Sequence, residues 1–181
     1  LEYLREDRPM VENWDVIIVG AGTAGIPAAI FAGQRGAKVL LVDAADKIGG
    51  TLHLTTGQMS AAGTSLQKQL GISDNSNDHF DDVMRISENT ADKDLVRLAV
   101  DNAAETFDWL MTNGFTPLDN HPVLGNAHEP YSERRYYWGP FGGISILDAI
   151  TPLLDEQIAS GNVVVSLRTK LKNIILNKKE V

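Results

Sequence analysis

Sixteen residues near the N-terminus, Asp15–Ile30, read DVIIVGAGTAGIPAAI and leave few folds open. Asp15–Val19 is a short apolar run rich in β-branched residues, bounded by Gly20, and predicts a buried strand. Thr23–Arg35 is predicted as a helix that Gly36 ends as a C′ residue. Lys38–Ala44, KVLLVDA, reads as a second buried strand. Together they form a βαβ unit of about 30 residues, which implies a right-handed crossover and a parallel sheet. Pro27 falls close to the helix start, where N–H groups have no intrahelical partner, so its missing donor is tolerable.

Gly20-Ala21-Gly22-Thr23-Ala24-Gly25 matches G-x-G-x-x-G directly after a strand and opening a helix, the context that gives the pattern meaning. Gly20 permits the tight turn, Gly22 lets a pyrophosphate approach the backbone, and Gly25 lets helix pack on strand. The helix N-terminus adds unpaired N–H groups and partial positive charge for that anion. Asp43 closes the second strand 18 residues after Gly25, with Ala44 beside it. A carboxylate there accepts hydrogen bonds from an adenosine ribose and repels a 2′-phosphate, which disfavours NADP. To this point NAD and FAD both fit.

The next segment separates them. Gly49-Gly50 and TLHLTTGQMSAAGT (Thr51–Thr64) form a small-residue strip too long for a plain connection to the next helix, as a longer cofactor such as FAD requires. Residues 46–78 as a whole show no sustained period and read as a functional loop. Helical patterning returns at Asp78–Thr90 and more strongly at Asp92–Asn113. There Leu95, Ala99, Ala103, Phe107 and Leu110 recur three or four apart, Asp92 is an N-cap candidate and Gly114 the stop. Pro117–Gly143 is expected to be a loop holding aromatics, two of the four histidines and Arg134-Arg135. Ile144–Ser160 reads as a helix closed by Gly161, with Pro152 in its middle, and NVVVSL and LKNIIL as two β-like runs.

Gly20–Gly25, LLVDAADKIGG and TLHLTTGQMSAAGT together resemble the N-terminal FAD-binding region of the fumarate reductase and succinate dehydrogenase flavoprotein superfamily, which includes 3-ketosteroid dehydrogenases. WLMTNGF, GPFGGISILDAI and VVVSLRTKLKNIIL fit the same resemblance, which covers most of the chain. It implies an α/β, Rossmann-like FAD-binding domain of the glutathione-reductase type, incomplete without a capping domain and a last Rossmann segment. It implies domain bounds of 15–181, after an N-terminal extension at 1–14. Gly20–Gly25 would hold the pyrophosphate and Asp43 the ribose. Gly49 is a further cofactor-binding candidate; Gly50, Thr51, Thr56 and Gly57 would line the path to the isoalloxazine, and Leu171 would meet the adenine through its backbone. Gln58 places an amide near the flavin where soluble fumarate reductases carry a second glycine. The histidine that anchors FAD covalently in membrane-bound members aligns with Thr51, two residues from His53, so the resemblance implies non-covalent FAD.

Dicarboxylate reductases carry Arg-x-His-Arg-Pro before their Gly-Gly; this chain has Arg135-Tyr136-Tyr137-Trp138-Gly139-Pro140-Phe141-Gly142-Gly143. Aromatics and glycine in place of basic residues suit a larger, flatter or less charged substrate than a dianion. The activity implied is hydride transfer through flavin N5, reducing or dehydrogenating a C–C bond beside a carbonyl or carboxylate. Tyr136, Tyr137, Arg134, Arg135 and His128 are the clustered candidates for substrate contact. Two alternatives stay open: a non-catalytic FAD-holding subunit completed by a partner chain, and an NAD-dependent dehydrogenase.

Composition narrows the partners. The net charge of −8 argues against nucleic acid, and no apolar run approaches the ~20 residues of a membrane span. With no cysteine, thiolate catalysis and iron–sulfur ligation are excluded within these residues. His53, His79, His121 and His128 lack the short spacing of a metal site. The charged segment LEYLREDRPM lacks the apolar core of a signal peptide, so a cytoplasmic setting is expected. A small-molecule substrate and a companion chain or further C-terminal half, carrying the cap, complete the expectation.

Overall fold

The computed structural model describes residues 13–125 and 130–175. In chain order the elements are β1 (Val16–Val19), α1 (Gly25–Gln34), β2 (Val39–Val42), a 3-10 turn (Gly50–His53), β3 (Met59–Ser60), α2 (Ser65–Gln69) and α3 (Ser76–Ile86). They continue with α4 (Lys93–Thr112), β4 (Tyr136–Tyr137), α5 (Gly143–Ala159) and β5 (Val163–Ser166). The residues form two compact units, one running to His53 and resuming at Ile150, the other spanning Leu54–Ala149.

In the first unit the predicted βαβ is present. β1, β2 and β5 make a parallel sheet in the order β1-β2-β5, with Val16 opposite Val39 and Val39 opposite Val163. α1 begins at Gly25, so Pro27 is its third residue, and Gly36 follows at a positive φ of 82°. Its buried residues include Ile26, Ala29, Ile30 and Gly33. At Gly33 a Cβ would come within 3.0 Å of both Gln157 Oε1 and Val163 Cγ2. That glycine lets α1 lie close to the end of α5 and to β5.

β2 is buried along its whole length, as a central parallel strand should be. β1 is not, contrary to the sequence expectation. Ile17 and Val19 are 59% and 55% exposed, because β1 is a sheet edge whose outer side meets no strand among the described residues. The second terminal β-like run also fails to form: residues 171–175 carry no strand, and Ile174 and Ile175 are exposed. An isolated strand has no ladder to stabilise it, whatever its propensity.

In the second unit, residues 54–78 hold more structure than their composition suggests. α2 carries a capping box in which Thr64 Oγ1 accepts from the Gln67 amide and Gln67 Oε1 accepts from the Thr64 amide. This pattern, Thr-x-x-Gln, was legible in the sequence. Asn75 caps α3, and Asp92 caps α4 as predicted, accepting from the amides of Asp94 and Leu95. The apolar stripe of α4 is shifted at its start. Val100, Phe107 and Leu110 are buried, whereas Leu95 and Ala99 are exposed, so the packed face begins one residue later than expected. The loop at 117–143 contains β4, which pairs antiparallel with β3 (Met59 opposite Tyr137) and bridges to Val123. α5 runs through Pro152 without a break.

Phe107 organises this core. Its ring lies 4.0 Å from that of Tyr137 and 6.0 Å from that of Phe115, and all three are at most 2% exposed. Phe107→Ala should cost about 3–5 kcal/mol in denaturant unfolding. A loss below about 1 kcal/mol would show that this cluster is not the core of the unit.

Candidate functional site

In the first unit the glycine turn is shaped by two steric facts. A Cβ on Gly25 would stand 1.8 Å from the Gly20 carbonyl oxygen, so α1 can start on the end of β1 only with glycine there. A Cβ on Gly20 or Gly22 would meet nothing within 4 Å, and Gly20 has φ +108°. The space in front of these two residues is therefore open to a ligand that approaches the backbone, and Thr23 and Ala24 line the same cleft.

Distant predicted residues converge on this turn. The Gly49 amide donates to the Ala21 carbonyl at 2.7 Å, and a Cβ on Gly50 would lie 3.3 Å from Gly22 Cα. Asp43 Oδ2 accepts from the Ala21 amide at 2.6 Å, and Oδ1 from the Ala45 amide at 2.8 Å. Asp43 thus fixes the turn while standing at the strand end where a ribose hydroxyl would donate to it. Ala44 and Thr51 are exposed nearby in sequence, and a further layer has no local sequence signal: the amides of Thr169 and Arg168 donate to the carbonyls of Asp43 and Ala45, both at 2.8 Å. Leu171, half exposed, follows that hook. His53 Nε2 donates to the Ile48 carbonyl at 2.7 Å, which holds the ring against its own loop.

In the second unit, Gly57 is the tight point of the predicted strip. Its φ is +61°, and a Cβ would stand 2.6 Å from Gly143 Cα. The Gly143 amide donates to the Thr55 carbonyl at 2.9 Å, so the 55–57 segment is laid against the start of α5. Thr56 and Gln58 are exposed on either side of it.

The substrate-contact candidates separate. Arg135 is wholly buried: Nε and Nη2 donate to the two oxygens of Asp74, each at 2.8 Å, and Nη1 donates to Asp82 Oδ2. Asp82 also accepts from Ser132 and Arg85, and Gln67 donates to Asp74. Burial alone would raise the Asp82 carboxyl, but the bonds from Arg85, Ser132 and Arg135 outweigh it and hold it well below the usual range. Tyr137 is equally enclosed, its hydroxyl on Thr64 Oγ1 at 2.8 Å, and burial pushes it up to about 12. Arg135 and Tyr137 are therefore corrected from substrate contacts to an internal ion cluster and a core ring. Only Tyr136 of the three reaches the surface, stacked on Tyr131 at 5.0 Å. Arg134 is exposed 3.6 Å from Glu133, and His128 lies outside the described residues.

His79, 3% exposed, completes the cluster. Its Nε2 bonds Ser60 Oγ at 3.0 Å, while Nδ1 has no partner among the described residues. Burial and then the Arg135 charge lower its pKa from 6.5 to about 4. The folded state therefore favours neutral His79. Its stability contribution is full above pH 6.5 and declines as pH falls toward about 4. Replacing His79 by Gln should flatten that acid limb in pH-dependent unfolding; an unchanged limb would contradict the assignment. Gly25→Ala should cost about 3 kcal/mol of stability, whereas Gly22→Ala should leave ligand-free melting unchanged. Equal melting of the two variants would refute the steric account.

The sequence profile of the FAD binding domain matches residues 15–170. The cytochrome-type fumarate reductase of Shewanella frigidimarina is 31% identical over 156 residues, 86% of this chain and 26% of that enzyme. The digoxin reductase of Eggerthella lenta is 37% identical over 106 residues, 56% of this chain and 19% of that protein. The solved open conformation of a flavocytochrome c3 fumarate reductase superposes with a TM-score of 0.74 at 27% identity, covering 92% of this chain and 28% of that one. The chain thus spans about a quarter of the length of the fumarate reductase it matches. No described helix is long and apolar enough to cross a membrane. With Gly25, Asp43 and Gly49 arranged around one open turn, the chain belongs to the FAD-binding domain family of the fumarate reductase and succinate dehydrogenase flavoprotein superfamily.

Proposed function

We propose that this chain is the cofactor-binding part of an FAD-dependent oxidoreductase that reduces or dehydrogenates a C–C bond beside a carbonyl or carboxylate. The observation that carries the reading is the convergence of Asp43 and Gly49 on Ala21, which builds one adenosine-and-pyrophosphate site from three separated segments. The residues fit the group: Gly20 and Gly22 leave the backbone open to phosphate oxygens, and Asp43 offers acceptors to a ribose hydroxyl. Gly20, Ala21, Gly22, Thr23, Ala24 and Gly25 hold the pyrophosphate in this reading. Ala44, Gly50 and Leu171 border the adenosine half; Thr51, Thr56, Gly57 and Gln58 serve the flavin half. Bound without a covalent link, FAD supplies the two-electron redox chemistry.

The substrate proposed is larger, flatter or less charged than a dicarboxylate. A Cβ on Gly139 would stand 2.3 Å from Ser145 Cβ, so no side chain, basic or otherwise, fits before Pro140. Phe141 beside it is 71% exposed, and its amide is held by Ser145 Oγ at 3.0 Å. A digoxin reductase among the relatives is named for a substrate other than fumarate, which supports this direction.

Since Arg135 and Tyr137 are enclosed, the reading assigns the proton-handling group to a further part of the protein, either a C-terminal half or a companion chain. The exposed apolar edge of β1 supports such a part, as the surface it would cover. The same enclosure favours the second reading, an FAD-holding subunit whose partner carries every catalytic group. A cytoplasmic setting, and domain bounds at 15–181, belong to the same proposal.

Asp43→Ala should weaken FAD binding about tenfold by fluorescence titration and lower the ligand-free melting temperature, since the carboxylate also holds Ala21. FAD affinity equal to wild type would overturn the reading of Asp43. Flavin bound without any turnover after addition of the remaining polypeptide would favour the second reading.

A further inference from the structure

Among the described residues, three other than glycine adopt positive φ: Glu88 (50°), Asn89 (60°) and Arg168 (52°). Glu88 and Asn89 directly follow α3, where left-handed residues commonly end a helix. Arg168 has no such reason, since it follows strand β5. The left-handed region is unfavourable for a side chain with a Cβ, and asparagine or glycine would meet the same turn more easily.

Main-chain and hydroxyl hydrogen bonds hold Arg168 there. Its amide donates to the Ala45 carbonyl and the Thr169 amide donates to the Asp43 carbonyl, both at 2.8 Å. Ser166 Oγ and Thr169 Oγ1 bond each other at 2.8 Å, and Thr169 Oγ1 donates to the Leu167 carbonyl at 3.0 Å. The turn is therefore pinned to the residues on either side of Ala44, beside the carboxylate that grips Ala21. Arg168 itself is exposed, and its guanidinium has no acidic partner within 4 Å among the described residues. The nearby Asp43 carboxylate is already engaged by the amides of Ala21 and Ala45.

We propose that Arg168 is a binding residue for the adenosine half of the cofactor, its planar guanidinium stacking on the purine. The inference rests on the FAD reading above and adds a residue to it. A guanidinium is flat, permanently charged and weakly hydrated, which suits the face of an aromatic base better than an ammonium does. The strained backbone is then the cost of presenting that group at the strand end, where a more comfortable residue would leave the base uncovered.

The test uses ADP and FAD as probes in calorimetric titration of the wild type, Arg168→Asn and Arg168→Lys. Arg168→Asn should weaken both ligands by the same factor, about fivefold, while ligand-free melting stays level or rises because asparagine tolerates this φ. Arg168→Lys, which keeps the charge without the plane, should lose affinity similarly. Unchanged ADP and FAD affinity in Arg168→Asn, against a wild type that binds both, would overturn this inference alone. A loss confined to FAD, a full rescue by lysine, or a fall in ligand-free melting that accounts for the loss would overturn it too. A wild type that binds neither probe would overturn the cofactor reading and this inference with it.

Discussion

The first unit depends on one contact too close for any side chain. Gly25, the first residue of α1, sits so near the carbonyl of Gly20 that a methyl group would overlap it. That contact brings the helix onto the end of β1 and forces the intervening four residues into a turn with its backbone facing open space. The packing of Ile26, Ala29 and Ile30 on the sheet then follows from where the helix starts. The anion site proposed at this turn would thus be a by-product of how closely a helix can approach a strand, its electrostatics coming from the same unpaired helix terminus.

Around that turn, main-chain bonds do the positioning. Gly49, Asp43 and the 168–169 hook all reach it or its neighbours through amides and carbonyls, and among the described residues only the Asp43 carboxylate contributes a side chain to it. Side-chain chemistry is instead concentrated in the second unit, where Arg135 draws Asp74 and Asp82 into a buried cluster. A buried ion group of this kind fixes geometry more surely than it adds stability, because desolvation offsets much of its attraction. Its role is to tie β4 to α3 and to the turn before it.

The features legible in the sequence were those set by local rules. The glycine pattern, Asp43 at a strand end, the Asp92 cap and the Gly114, Gly36 and Gly161 stops follow from steric or hydrogen-bonding needs within a few residues. The misses concern partners far along the chain. β1 reads as buried because its residues are apolar, yet burial depends on a neighbour that the described residues do not supply. Arg135 and Tyr137 read as substrate contacts because they cluster with aromatics, and nothing local reveals Asp74, Asp82 or Thr64 waiting in the fold. Arg168 carried no signal at all, since its significance lies in a dihedral angle and in carbonyls at Asp43 and Ala45.

The central claim is that the turn between β1 and α1, joined by Asp43 and Gly49, receives the pyrophosphate and adenosine of FAD. Backbone amide NMR of the isotope-labelled chain during FAD titration tests it most directly. The account predicts the largest shifts at the amides of Ala21, Gly22, Thr23 and Gly49, with little change at the enclosed Arg135 cluster. Shifts that avoid the glycine turn, or the same pattern produced by NADH and not by FAD, would contradict it.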